Sequence, residues 1–572
     1  MTPTLDLLVL TFNCAKTVID ATVFAAHLRA ALTPKAGGKL PDLVVFSLQE
    51  VAPLSYSFIG SYFLTPYYAR FEEALDLASA QVQGSTRSAS LSTSTPQSSS
   101  ADHGEDVVYV ASATAETPYT LVRAHNVGMT AIMLFARDPS AIRRIEEAEC
   151  GFGAADMGNK GAVGLRVLWG GRLATATTEL TFVATHLAAM EWNTEKRNAN
   201  WRSIVAGLTF ANPRTVLPGV FPPDHSAPPP DRSGAGDTQA PSAERHGLAR
   251  SHSGTAPVAT ESGHGGKAEE EADASRPLLS PVDEAGTLLH PDHPNLTAAH
   301  HAALQDMSIF KPSSHLFLAG DLNYRIASTA PPPLATFPSF DPRSEHYYDV
   351  FLPRDQLSQE RLAGKTLHGL TEAPVRFGPT YKYHVLSGSA AAGDVGAASD
   401  GAAGGQDRPV DGVPEVRWRF APHRWPGWCD RVLYLDVPPW VSASAAPGAR
   451  EPGRDGQGRK VEVLAYDALP VVATSDHRAV FLRARVPVIS PEAMRCREDG
   501  GGRDPGVAVE DPRLVLPVPI DVHAWERRAA ARRREVVVGW SALLWSTGEG
   551  AVFLGTVLLV GVGSWWLWSL WS

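Results

Sequence analysis

Eight short apolar runs, at 5–12, 42–48, 129–136, 161–168, 180–186, 315–320, 431–436 and 478–485, constrain this chain more than any other feature. Runs of that length, bounded by turn residues, read as buried strands. Helical patterns lie between them. In TEKRNANWRSIVAGLTF, Trp201, Ile204, Val205 and Leu208 fall at i, i+3, i+4 and i+7, one face of an amphipathic helix. Alternating strands and helices predict one large α/β domain over residues 1–487.

Three stretches do not fit that pattern. Residues 85–100 hold eight Ser and three Thr; two others are rich in Pro, Gly, Ala, Ser and acid. None buries enough apolar surface to offset its ordering entropy, so disordered insertions are expected at about 80–105, 222–295 and 385–415. A flexible stretch is expected at 488–520, within a 488–550 linker carrying the basic ERRAAARRRE.

The net charge of −10 argues against a broad nucleic-acid surface, and no nucleic-acid partner is expected. A monomer is expected. The cysteines, Cys14, Cys150, Cys429 and Cys496, are too scattered for a disulfide framework or a zinc site. The N-terminus lacks the basic segment of a secretory signal. At the other end, AVFLGTVLLVGVGSWWLWSLW (551–571) carries no charge. As a helix it would span about 32 Å at ~1.5 Å per residue, against a hydrocarbon core of roughly 30 Å. With arginines upstream and tryptophans at its far end, it is expected to be a transmembrane tail anchor. The positive-inside rule would then put the preceding domain in the cytosol. The short span favours the endoplasmic reticulum.

The apolar runs share one habit: polar residues cluster where they end or begin. LLVLTFN stops at Asn13, LVVFSLQE at Gln49 and Glu50, and LTFVATHL carries His186. HLFLAGDLN delivers Asp321 and Asn323, while Asp430 and Arg431 open one run and Asp476 and His477 another. Ligand sites in α/β proteins gather residues from several strand ends. A turn explains any one of these residues; six segments together point to one site. Glu50 and Asn13 offer the hard oxygens that Mg²⁺ prefers. Asp321 is a candidate base towards water, and His477, oriented by Asp430, a donor to a phosphoryl oxygen. Hydrolysis of a phosphate ester by a Mg²⁺-activated water needs this set and no protein nucleophile. Lys160, Arg197, Arg325, Lys382 and Arg424 supply cations for a phosphorylated substrate. Lys160 sits in the glycine-rich GFGAADMGNKGAVGL, whose backbone N–H groups suit an anion.

The motifs SLQE, GNKGAVGLRV, THLAAMEWNTEKRN, GDLNYRI, GPTYKY, WPGWCDRVLY and SDHRAV occur in the order found in inositol polyphosphate 5-phosphatases, which the chain resembles over about 5–487. These enzymes belong to the endonuclease/exonuclease/phosphatase superfamily. The resemblance implies a four-layer α/β sandwich, two packed sheets with helices outside. It also implies Mg²⁺-dependent removal of the 5-phosphate from inositol phosphates or phosphoinositides, with phosphatidylinositol 4,5-bisphosphate the expected substrate. By motif, Glu50 and Asn13 would hold the metal and Asp321 would activate water, with Asn323 positioning it. His477, Asp430, His186 and Asp476 would serve the scissile phosphate and the water network. Asn159, Lys160, Arg197, Tyr381, Lys382 and Arg424 match substrate-holding positions.

Two departures bear on the 4-phosphate. Pro422 stands where many members carry a Lys, and His384 where an Asp usually follows TYKY. Arg419 is a candidate replacement cation. The expected layout of a lone domain plus tail anchor resembles that of endoplasmic-reticulum members of the family. Two rival readings are a nuclease or sphingomyelinase of the same superfamily, and a non-catalytic phosphoinositide-binding tether.

Overall fold

The computed structural model describes residues 3–33, 39–91, 117–170, 177–217, 288–289, 296–386, 416–443, 460–496, 511–546 and 548–571. One sheet is built from β1 (Thr4–Asn13), β2 (Leu43–Gln49), β3 (Thr120–Val127), β4 (Thr130–Ala136), β13 (Glu462–Ala468) and β14 (Val480–Pro487), in the order β13-β14-β1-β2-β4-β3. A second is built from β5 (Ile142–Gly151), β6 (Gly161–Gly170), β7 (Thr177–His186), β9 (Ser314–Asp321) and β12 (Asp430–Tyr434), in the order β12-β9-β7-β6-β5. Two small ribbons pair β8 (Leu288–Leu289) with β15 (Ile520–Asp521), and β10 (Tyr383–Val385) with β11 (Trp418–Phe420). Both main sheets are mixed: β1 and β2 run parallel, as do β7 and β9, and their other pairs are antiparallel.

Strand periodicity explains the layers. Leu5, Leu7 and Val9 of β1 point to one face and join Leu165, Phe182, Ala184, Phe317 and Ala319 between the sheets. Leu8, Leu10 and Phe12 point the other way, onto Phe24 and Leu28 of helix Ala21–Leu32 and Phe71 and Leu75 of helix Thr65–Leu91. On the far side, Val183, Leu316 and Leu318 meet Trp201, Ile204, Val205 and Leu208, the predicted stripe of helix Thr194–Gly207 and its end. Two mixed sheets are therefore packed face to face and flanked by helices, the expected arrangement. A strand buried on both faces has no polar side to show, hence the uninterrupted apolar runs.

Each of the eight predicted runs overlaps a strand. Missing from the prediction in the two main sheets were β3, β5 and β13, three of their four edge strands; the fourth, β12, is buried along its length and was predicted. The three missed strands have exposed, charged positions, as in IRRIEEAECG, so they show no apolar run.

The insertion boundaries need correction. Helix Thr65–Leu91 passes the expected start of the first insertion because Phe71, Ala74, Leu75, Ala78 and Val82 give it a buried stripe. Within 222–295 only Leu288 and Leu289 are described, and of 385–415 only Val385 and Leu386, so the rest of both expected insertions lies outside the described residues. The expected flexible stretch at 488–520 begins instead with packed chain, since Ile489 and Met494 are buried with Val441.

The C-terminal expectations fail more broadly. Among the described residues no helix is long and apolar enough to cross a membrane, which overturns the tail anchor and the endoplasmic-reticulum placement built on it. Residues Gly548–Trp571 do form a helix. The 551–571 run lacks charge, but three glycines, Thr556, two serines and four tryptophans dilute its aliphatic content. Absence of charge is a weaker property than apolarity. Nor is the basic stretch before it a linker: Ala524–Ser546 is a helix seated on the domain, with Arg528, Ala531, Glu535 and Gly539 buried.

Candidate active site

The parallel pairs β1–β2 and β7–β9 end on the same side of the molecule and deliver the polar strand ends to one place. Register puts Asn13 beside Gln49 in one sheet, and His186 and Asp430 on either side of Asp321 in the other. The sheets are tied across the gap where Asn13 Nδ2 donates to Asp321 Oδ2 at 3.0 Å, and Ser47 Oγ donates to the Ala319 carbonyl at 2.9 Å.

Asp321 lies at the centre, almost wholly buried. His186 Nε2 is 3.3 Å and His477 Nε2 3.9 Å from its Oδ2, and Oδ1 accepts the Asn323 N–H at 3.0 Å. Burial alone would raise its pKa, but His477, His186 and Lys160 outweigh that and hold the carboxyl far below its usual range. The preceding Gly320 is required: a Cβ there would fall 2.0 Å from the Thr185 carbonyl of the neighbouring strand. Asn323 adopts a positive φ of 57°, and Glu50 one of 47°, strained values of the kind found at functional sites. Asn323 is held there by Nδ2 donating to the Leu187 carbonyl and by the guanidinium of Arg325, which also lies 4.3 Å from the Tyr381 ring centroid.

His477 is the electrostatic counterpart of Asp321. Its Nδ1 is 2.8 Å from Asp430 Oδ2, and Thr380 Oγ1 donates to that same carboxylate oxygen at 2.7 Å. Burial disfavours the charged ring, yet Asp430 and Asp321 prevail and its pKa is pushed up to about 9. Asp430 is itself raised, by burial first and Asp321 next, with His477 opposing. His186 moves the other way: burial and the neighbouring Lys160 lower its pKa. Lys160 Nζ lies 2.6 Å from His186 Nε2. The site thus pairs one histidine kept charged with one kept neutral.

Tyr381 packs against the His477 ring at 4.7 Å between centroids, and Lys382 Nζ donates to Asp476 Oδ2 at 2.7 Å. His477 and Lys382 hold Asp476 below its usual pKa against the effect of burial. Arg424 is seated 3.7 Å from the buried carboxylate of Glu191. Asn159 precedes Lys160, and its Oδ1 is buried with no hydrogen-bond partner. Arg197 is not brought to this cluster as a substrate cation. It is fully buried and donates to the carbonyls of Ala188 and Met190 and to Gln356 Oε1, holding the 188–191 loop from beneath. Residue type marked it as a cation; the apolar stripe of its own helix gave its seat.

Two contributors were not singled out from sequence, Thr380 and Ser475. Ser475 Oγ donates to the Asn13 carbonyl at 2.7 Å and accepts the His477 N–H at 3.0 Å. Thr380 sits inside GPTYKY and Ser475 opens SDHRAV, so the motifs held them without giving them a task.

The residues fit a hard divalent cation. Glu50 is a quarter exposed, and the cation nearest its carboxylate, Lys16, is 3.9 Å away. Asn13 Oδ1 accepts the Ala15 N–H at 3.0 Å and keeps a second lone pair. Asp321, Asp430 and His477 also bring ligand atoms within 4.8 Å of one another, but Asp430 and His477 are already bonded to each other. All-oxygen donors at Glu50 and Asn13 suit a hard divalent cation rather than zinc.

The family model of the Endonuclease/Exonuclease/phosphatase family 2 matches residues 10–228 and 293–483. Among curated proteins, the chain is 30% identical over 171 residues to the type I inositol polyphosphate 5-phosphatase 5 of Arabidopsis thaliana, covering 30% of this chain and 26% of that one. It is 26% identical over 353 residues to the type II inositol polyphosphate 5-phosphatase 15 of the same plant, covering 61% and 22%. It is 34% identical over 101 residues to the polyphosphatidylinositol phosphatase INP53 of Saccharomyces cerevisiae, covering 17% and 9%. The chain thus spans about a quarter or less of each of these relatives. A solved 5-phosphatase domain of SPsynaptojanin, in complex with inositol (1,4)-bisphosphate and calcium, aligns over 95% of this chain and 93% of that one, at 16% identity and a TM-score of 0.43.

Proposed function

We infer, from a chain that belongs to the Endonuclease/Exonuclease/phosphatase family 2, that it hydrolyses the 5-phosphate of inositol-phosphate head groups by direct attack of water. The observation that carries this reading is the buried Asp321 carboxylate, held by Asn13 and set between a neutral His186 and a charged His477. Relatives named as inositol polyphosphate 5-phosphatases support the choice of substrate class.

Each residue has a task in that reaction. Asp321, kept ionised, accepts a hydrogen bond from the attacking water and aims it at phosphorus. Protonated His477 donates from Nε2 to a phosphoryl oxygen, where negative charge builds up, while Asp430 fixes Nδ1. Lys160 adds a second positive charge beside His186. Glu50 and Asn13 would hold Mg²⁺, which when bound lowers the pKa of a water and offsets phosphate charge. No thiol competes as nucleophile here: burial, then Glu50, pushes the Cys14 pKa up, and burial does the same at Cys429.

The substrate is phosphatidylinositol 4,5-bisphosphate, converted to the 4-phosphate, with Tyr381, Lys382 and Arg424 facing the retained phosphate. Phosphate release is to be measured on phosphatidylinositol 4,5-bisphosphate, the 3,4,5-trisphosphate and soluble inositol 1,4,5-trisphosphate, phosphocholine release on sphingomyelin and strand cleavage on abasic DNA, each with Mg²⁺ and with EDTA. The first is expected to lead and to depend on Mg²⁺. Turnover of the DNA or of sphingomyelin alone would replace this reading with another phosphodiesterase.

A further inference from the structure

The helix Ala524–Ser546 lies outside both segments matched by the family, yet it reaches the loop that carries Lys160. Its Glu535 is completely buried, and its Oε1 accepts the Gly158 N–H at 2.7 Å. Arg528, one face and two turns earlier, grips the same carboxylate, with NH1 to Oε1 at 2.5 Å and NH2 to Oε2 at 3.0 Å. Arg528 Nε is also 3.2 Å from Glu149 Oε2, on β5 just before the loop, and Arg534 NH1 donates to the Ala155 carbonyl at 3.1 Å. The helix touches the glycine-rich loop at its base and along its length.

From the other side the loop is held by the turn between β3 and β4. Gly158 accepts the Met129 N–H at 3.1 Å, and a Cβ on Gly158 would come within 2.7 Å of the Gly128 nitrogen. Gly158 is therefore clamped between that turn and Glu535. Two residues on, Lys160 Nζ rests 2.6 Å from His186 Nε2. With so short a lever, a shift at Gly158 is passed to the ammonium.

We propose that Glu535 is a positioning residue for catalysis: the helix Ala524–Ser546 braces the glycine-rich loop from outside and sets where Lys160 meets the substrate phosphate. The proposal rests on the 5-phosphatase reading for what Lys160 binds, but not for the brace itself. A buried carboxylate paired to an arginine is a costly way to hold a helix in place, since two hydrophobic residues of similar volume often do so as well. Here the carboxylate also satisfies a loop N–H that is otherwise an unpaired buried donor.

The test uses full-length protein. Removing Glu535 alone strands Arg528 and endangers folding, so the main variant replaces both, Arg528→Met with Glu535→Leu. Glu535→Gln keeps an amide oxygen for the Gly158 N–H and serves as the rescue. In the paired variant, hydrogen exchange at the Gly158 and Lys160 amides is expected to quicken at least tenfold. KM for soluble inositol 1,4,5-trisphosphate is expected to rise at least fivefold, and Glu535→Gln to stay within twofold of wild type. In a Lys160→Ala background the paired change is expected to cost less than twofold, because its effect runs through that lysine. Unchanged exchange in the paired variant, or its full loss repeated without Lys160, overturns the proposal. The exchange arm needs no turnover, so it judges the brace even where the substrate reading fails.

Discussion

Asp430 Oδ2 sits 2.8 Å from His477 Nδ1, and this contact sets the charge at the far nitrogen, which faces Asp321. Because the folded pKa of about 9 lies above the ordinary ~6.5, His477 is protonated at neutral pH and loses its proton as pH rises through 9. Asp430→Asn removes the main support for that charge. The alkaline limb of kcat/KM is expected to move to lower pH, with activity at pH 8 down at least tenfold. The same sign holds for stability: the pair's contribution is complete below about 6.5 and lost as pH climbs to about 9. Melting curves of wild type across that window are expected to fall more steeply than those of the variant.

Thr380→Val tests the hydroxyl behind Asp430. The change is nearly isosteric but removes the donor to Asp430 Oδ2 at 2.7 Å. Leaving a buried carboxylate short of one hydrogen bond costs about 1–3 kcal/mol. Urea denaturation is expected to show a loss in that range, together with a several-fold fall in kcat.

Gly320→Ala asks whether the glycine before Asp321 is a matter of space. The added methyl would lie 2.0 Å from the Thr185 carbonyl, inside β9 next to β7. Backbone cannot yield as a flexible side chain does, and forced overpacking costs about 1–3 kcal/mol or more. The expected outcome is a large drop in Tm and poor recovery of folded protein, read by circular dichroism.

Lys382→Ala separates the 4-phosphate from the reacting one. Lys382 sits on Asp476 at 2.7 Å and not on Asp321. KM for the 4,5-bisphosphate is expected to rise about tenfold, roughly the worth of one charge-assisted hydrogen bond. A head group lacking the 4-phosphate is expected to show little change. Equal losses on both substrates would move Lys382 to the scissile phosphate.

What the sequence made legible, and what it hid, follows from burial. β1, β2, β7 and β9 are covered on both faces, so their apolar runs were plain, and the polar residue ending each run stood out against them. The edge strands β3, β5 and β13 have exposed, charged faces that resemble loops. Thr380 and Ser475 escaped because a small hydroxyl has no periodicity to betray it. Arg197 carried the right charge for a phosphate, but its place on a buried helix face directs it into the protein. The helix Ala524–Ser546 falls in the expected basic linker because its run of arginines masks its buried face. Arg528 and Glu535 lie seven residues apart, on one face, and that spacing was the available sign of a buried pair.

The central claim is that Asp321 directs water at the 5-phosphate. Its most direct test is phosphate release from phosphatidylinositol 4,5-bisphosphate by wild type and by Asp321→Ala, each shown to be folded, with the inositol product identified. The account predicts release from the 5-position alone, abolished by EDTA, and a rate in Asp321→Ala lower by about 10³, within the range for loss of a positioned general base. Equal release by the two proteins would contradict it.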